Sequence, residues 1–173
     1  TIGRRQRQMC IRDRSRADSS TRLVYLSPRG KTFNQRLARK WSKSEGIILI
    51  CGRFEGIDQR VIDHYGIEEV SMGDFVMTGG EIAAQAMIDT TVRLLPNVIG
   101  NRDSLKTESH SNGLIEHDQF TRPNEWKGRK IPQTLTSGNH GKIEYWRENQ
   151  SKSKTKRYRA DLWEKADLAK SKS

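Results

Sequence analysis

Three glycine-punctuated segments carry the residues of this chain best suited to chemistry. They are Leu26-Ser27-Pro28-Arg29-Gly30, Gly52-Arg53-Phe54-Glu55-Gly56-Ile57-Asp58, and the stretch from Ser71 to Glu81 that holds Gly73, Gly79 and Gly80. Glycine has no Cβ, so backbone N–H and C=O groups there can approach a ligand closely. Each segment follows a short apolar run, and in open parallel sheets small molecules bind outside the C-terminal ends of the strands. The chemistry open to such loops is capture of a small polar ligand by main chain. The same segments would also serve as plain tight turns between strand and helix, and spacing alone does not separate the two. No GxGxxG follows a first strand and no GxxxxGK[ST] occurs, so dinucleotide and P-loop sites have no support. Cys10 and Cys51 form no CxxC and no zinc-spaced cluster with histidine, so neither a metal nor a disulfide framework is expected.

The elements that must position these loops alternate strand and helix. Residues 23–27 predict a short strand ended by a turn at Pro28-Arg29-Gly30. Thr32 and Gln35 have the spacing of a capping box. Phe33, Leu37 and Trp41 then recur on one helical face, with Gly46 suited to close the helix. The unbroken apolar run Ile47–Cys51 predicts a fully buried parallel strand, with Cys51 a buried thiol. Asp58 is placed to cap a helix reaching about Tyr65, with Ile57, Val61, Ile62 and Tyr65 turned inward. A strand near Glu69–Ser71 and a helix from Glu81 to Leu95, stopped by Pro96, complete the series. The alternation is that of an α/β fold with a parallel sheet.

Charge divides the chain further. Net charge is +11 and the pI about 10.0, which suits a polyanionic partner. Residues 21–100 hold ten basic against nine acidic residues, and residues 101–173 hold sixteen against ten. A near-neutral part suited to small-ligand chemistry is thus joined to a basic part suited to phosphate backbone. The divisions expected are a non-native or disordered segment over 1–20, a ligand-binding α/β unit over 21–99, a linker over 100–121, and a basic helical unit over 122–173. Trp126, Trp146 and Trp163 are expected in its core, and Ser151 to Arg157 as a solvated basic run that could touch phosphates. No stretch approaches the ~20 apolar residues of a membrane span, and the start of the chain lacks the apolar core of a signal peptide, so the cytoplasm is the default.

Several separated motifs in one order resemble the bacterial tRNA (guanine-N1)-methyltransferases, the TrmD family of the SPOUT superfamily. They are Tyr25-Leu26-Ser27-Pro28, the second and third glycine segments, Phe120-Thr121-Arg122-Pro123 and Ser137-Gly138-Asn139-His140. The resemblance covers about residues 22–168 and implies that an N-terminal part of the family, with its first strand and a glycine-rich loop, is missing. It implies a SPOUT-type parallel sheet with a deep trefoil knot, plus a small helical C-terminal domain. It also implies S-adenosyl-L-methionine as methyl donor, tRNA as substrate, and a homodimer whose active site lies at the subunit interface.

Carried over residue by residue, the cofactor contacts are Tyr25, Leu26, Ser27, Pro28, Gly52, Phe54, Glu55, Met72, Gly73, Asp74, Phe75, Val76, Met77, Gly79 and Gly80. Phe54 and Phe75 stand where the family often has tyrosine, so a ring remains and a hydroxyl does not. The target would be N1 of the guanosine 3′ to the anticodon, position 37. The family's base, best known as aspartate, maps to Glu108, and its stabilising arginine to Arg93. Asp103 is the rival for the base. His110 and His117 are weaker candidates for substrate contact, and His140 for a role near tRNA. Two other functions remain open at this point: a related enzyme acting on ribosomal RNA, and an RNA-binding remnant without catalysis.

Overall fold

The computed structural model of the chain describes residues 21–53, 56–100 and 108–170, with side chains described to 168. The chain divides into two compact units, residues 1–100 and residues 101–173. The expected segment over 1–20 lies outside the described residues.

The first unit is a parallel three-stranded sheet with helices on both faces. β1 is Arg22–Thr32, β2 Ile47–Cys51 and β3 Glu68–Ser71, in the order β2-β1-β3. Between them run α1 (Gln35–Trp41) and α2 (Gln59–Tyr65), and α3 (Glu81–Val92) follows β3. β1 is central, and successive side chains of a strand point to opposite faces. Val24 and Leu26 pack one way, with Trp41, Val70, Ala83, Ala84 and Met87. Leu23 and Tyr25 pack the other way, with Ile62 and Ile67.

β1 runs on beyond the turn that Pro28 and Gly30 suggest. Leu26 and Lys31 both register with Val70, so residues 27–30 leave the ladder and return to it. Gly30 makes the return possible, because a Cβ there would stand 2.4 Å from the backbone of Glu69 and Val70. A local turn signal thus became an excursion within one strand, owing to a tertiary contact that local sequence does not encode.

Other expectations are corrected at the same scale. The cap of α1 is Asn34, whose side chain accepts from the Leu37 N–H at 3.0 Å. It takes the place foreseen for Thr32, which lies inside β1. The helix ends at Ser42, before Gly46, whose carbonyl accepts from Arg22 N–H at 3.0 Å. β2 is an outer strand of this sheet, so it is not fully buried: Ile48 is 37% exposed and Cys51 is an exposed free thiol. Tyr65 is 38% exposed, because it sits at the last turn of α2, beyond the reach of the Ile62 cluster. Asp58 does cap α2, accepting from Arg60 N–H at 3.0 Å. α3 stops at Val92, and residues 93–95 continue as turn before Pro96.

The second unit contains a small hairpin, β4 (Glu125–Trp126) with β5 (Arg129–Lys130), where the basic composition suggested helix. Lys127 and Gly128 both have positive φ, 50° and 75°, the backbone of a two-residue type I′ turn. Three helices follow: α4 (Gln133–Thr136), α5 (His140–Tyr158) and α6 (Ala160–Lys170). The Ser-Gly-Asn-His segment joins α4 to α5: Ser137 caps the end of α4, and Asn139 caps α5, accepting from Lys142 N–H at 3.1 Å. No helix among the described residues is long and apolar enough to cross a membrane.

Candidate active site

The C-terminal ends of β2 and β3 and the excursion at residues 27–30 of β1 open on one cleft. Its wall is formed by Tyr25, Leu26, Ser27 and Pro28 from the first loop, Gly52 from the second, and Met72, Phe75, Val76, Met77, Gly79 and Gly80 from the third. These are residues singled out from sequence. Gly73 and Asp74 belong to the third loop without lining the cleft, and Phe54 and Glu55 lie outside the described residues. Arg53, Val70, Ser71 and Thr78 also line it. Their signal was position alone: each adjoins a glycine of the loops or ends the third strand.

The loops are tied to one another by main chain. Gly80 N–H donates to the Gly52 carbonyl at 3.3 Å, and Arg53 forms a bridge with Gly79. A Cβ on Gly80 would lie 3.0 Å from the Cys51 Cα and would push the second and third loops apart. Gly52 has a different cause: its Cβ would meet the buried Tyr25 ring at 2.8 Å. Within the third loop the Ser71 hydroxyl donates to the Gly73 carbonyl at 2.9 Å and accepts from Gly73 N–H at 3.1 Å. The Phe75 N–H donates back to the same carbonyl at 2.9 Å. Gly73 also leaves room for the Phe75 ring, which a Cβ would meet at 2.7 Å. That ring is 55% exposed on the cleft wall.

Among the described residues, one ion pair stands at the cleft. Arg53 Nε donates to Glu81 Oε1 at 2.8 Å, joining the second loop to the start of α3. The hydrogen bond from Arg53 holds the Glu81 carboxyl below the usual carboxylate range. Nearby, partial burial pushes the Cys51 thiol up, and the negative charge of Glu81 adds to that. Cys51 is therefore a poor nucleophile.

The two residues assigned to proton and charge chemistry belong to different units. Arg93 is the C-cap of α3, half-buried, its N–H donating to the Asp89 carbonyl at 3.2 Å. Glu108 is half-buried in the second unit, at the start of a turned segment, its carbonyl accepting from Ser111 N–H at 3.1 Å. His110 has φ 68° and its N–H donates to the Leu114 carbonyl at 2.7 Å, so it shapes this turn. Asp103 lies outside the described residues.

The segment after Glu108 is held on α5 by residues of the run that looked merely solvated. Thr155 is fully buried; its hydroxyl accepts from Ile115 N–H at 3.0 Å and donates to the Ser151 carbonyl at 2.7 Å. Ser151 in turn donates to the Ile115 carbonyl at 2.6 Å. Lys154 pairs with Asp118, and Lys152 with Glu148 at 2.6 Å. Only Lys156 and Arg157 of that run stay on an exposed face without a carboxylate among the described residues.

The sequence model of the family described as tRNA (Guanine-1)-methyltransferase TrmD matches residues 8–165. Curated proteins named tRNA (guanine-N(1)-)-methyltransferase are similar over most of the chain. One from Ruegeria pomeroyi is 59% identical over 148 residues, covering 86% of this chain and 61% of its own length. One from Cereibacter sphaeroides strain KD131 is 59% identical over 141 residues, covering 82% and 57%. One from Lactobacillus delbrueckii subsp. bulgaricus is 51% identical over 151 residues, covering 87% and 61%. The chain thus spans about three fifths of the length of the curated relatives it matches.

Proposed function

Because the chain belongs to the tRNA (guanine-1)-methyltransferase TrmD family, we propose that it serves S-adenosylmethionine-dependent methylation of N1 of the guanosine at position 37 of tRNA, 3′ to the anticodon. The observation that carries this is one cleft built by the β1 excursion and by the loops that follow β2 and β3. The residues present suit the cofactor. Leu26, Met77 and the Phe75 ring offer an apolar surface for adenine, and the Gly52 and Gly79-Gly80 backbone permits close approach of polar groups. Phe54, Glu55, Gly73 and Asp74 of the same loops join the cofactor set by resemblance. When bound, the cofactor supplies a methyl group already activated by its sulfonium.

The chain's own residues then have two tasks. N1 of guanine carries a proton at neutral pH, and Glu108 as carboxylate removes it. Negative charge moves toward O6 as the proton leaves, and the Arg93 guanidinium stabilises it. Residues 100–121 are the proposed linker, which carries Glu108, and the basic residues of 122–173 hold the tRNA. The enzyme works as a homodimer with the site at the subunit interface. An exposed apolar stripe on and beyond α3, Ile88, Val92 and Leu95 at 51%, 40% and 37% exposure, supports such a contact. A SPOUT-type trefoil knot and a cytoplasmic location are part of the same proposal, on the resemblance to the family.

The test is methyl transfer from S-adenosylmethionine to a tRNA transcript, with the product base identified by mass spectrometry. N1-methylguanine at position 37, absent when that guanosine is replaced by adenosine, is expected. Methylation at another base or atom would refute the assignment.

A further inference from the structure

In the second unit the hairpin separates its charges by face. Residues directly opposite in an antiparallel pair share a face, so Trp126 lies beside Arg129, and Glu125 beside Lys130. Glu125 and Lys130 are 3.8 Å apart and balance one another. The Trp126 face has no acid. The Lys127 ammonium sits 4.9 Å from the Trp126 ring centroid, and neither Lys127 nor Arg129 has a carboxylate partner among the described residues. Far from being core, Trp126 is 58% exposed. Ile131 N–H donates to the Asn124 carbonyl at 2.9 Å and closes the hairpin at its base. Both residues also line a cleft shared with Phe120, Arg122 and Arg147. An exposed aromatic ring flanked by cations without a described carboxylate partner, on a hairpin whose base lines a cleft that holds Arg122 and Arg147 beside Asp118, is poorly suited to an apolar protein surface. It suits a base with phosphates on either side.

We infer that the Glu125–Lys130 hairpin is a single-strand RNA contact, with an unpaired base stacked on Trp126 and its flanking phosphates held by Lys127 and Arg129. This rests on the RNA-modifying role proposed above. Stacking is open only to a base not already sandwiched in a duplex, so the contact selects loop over stem.

The test compares Trp126→Ala, Trp126→Phe and the double variant Lys127→Gln/Arg129→Gln with the native chain. Affinity for an anticodon stem–loop RNA, and for a duplex of the same stem, is measured by fluorescence anisotropy at several salt concentrations. Trp126→Ala should weaken stem–loop binding by roughly fivefold to a hundredfold, leave the salt slope unchanged, and leave duplex binding unchanged. Trp126→Phe should keep most of the affinity. The double variant should lower the salt slope by about 0.7 per lost contact. Native-like stem–loop binding by Trp126→Ala would overturn the inference. So would a shift in the sedimentation coefficient of Trp126→Ala with RNA binding intact, which would assign the ring to a protein contact. Failure of the native chain itself to bind the stem–loop would instead strike the RNA-modifying role, and the hairpin's role with it.

Discussion

Glu108 is the residue on which the proposed chemistry turns. A carboxylate is needed to take the N1 proton, and glutamate supplies one at the end of a side chain one methylene longer than aspartate. Glu108→Gln keeps size and hydrogen bonding and removes the base, so single-turnover methyl transfer is expected to slow by about 10²–10⁴. Affinity for S-adenosylmethionine should hold, because the loops proposed to bind it lie in the other unit. Glu108→Asp should retain substantial activity and Asp103→Asn should be mild. A dead Asp103→Asn beside a near-native Glu108→Gln would move the role to Asp103. Gly52 is a poorer probe than its place in the loop suggests: a side chain there strikes the buried Tyr25 ring first, so loss of binding in Gly52→Val would not distinguish ligand from core. The glycine-rich composition of these loops was legible in sequence because it is local. Which glycine yields to a ligand and which to a neighbouring ring was not, because that depends on side chains brought in by other strands.

At the scale of elements, β1 and α5 each do something their sequence conceals. The excursion of residues 27–30 from the ladder depends on Gly30 lying against the Glu69–Val70 backbone. Gly30→Ala should therefore destabilise the first unit by about 1–3 kcal/mol, the cost of overpacking a tight site. A thermal melt of the variant is the check, and an unchanged midpoint would mean that the strand relaxes at no cost. On α5, Thr155→Val keeps the volume and removes the hydroxyl that joins Ile115 to Ser151. It should cost about 1–3 kcal/mol in chemical denaturation, since a backbone N–H loses its acceptor. The alternation of strand and helix in residues 21–95 was readable from hydrophobic period and from the Asp58 cap. The hairpin was not, because two-residue strands are too short to show a period and Lys127-Gly128 lacks the asparagine or aspartate that usually marks a type I′ turn. Nor was the anchoring role of Ser151, Lys154 and Thr155, whose partners lie about forty residues away in sequence.

For the whole molecule, the uneven charge now has a structural counterpart. The near-neutral residues 21–100 carry the cleft, and the basic second unit carries Glu108, the hairpin and the exposed face of α5. The division of labour depends above all on the cleft being a cofactor site. Calorimetric titration of S-adenosylmethionine into the chain tests that most directly. One saturable site per chain is expected, displaced by S-adenosylhomocysteine. Phe75→Ala should weaken it roughly fivefold to a hundredfold, the worth of one base stacked on a ring, and Trp126→Ala should leave it unchanged. No saturable binding, or native affinity in Phe75→Ala, would contradict the placement of the cofactor in this cleft.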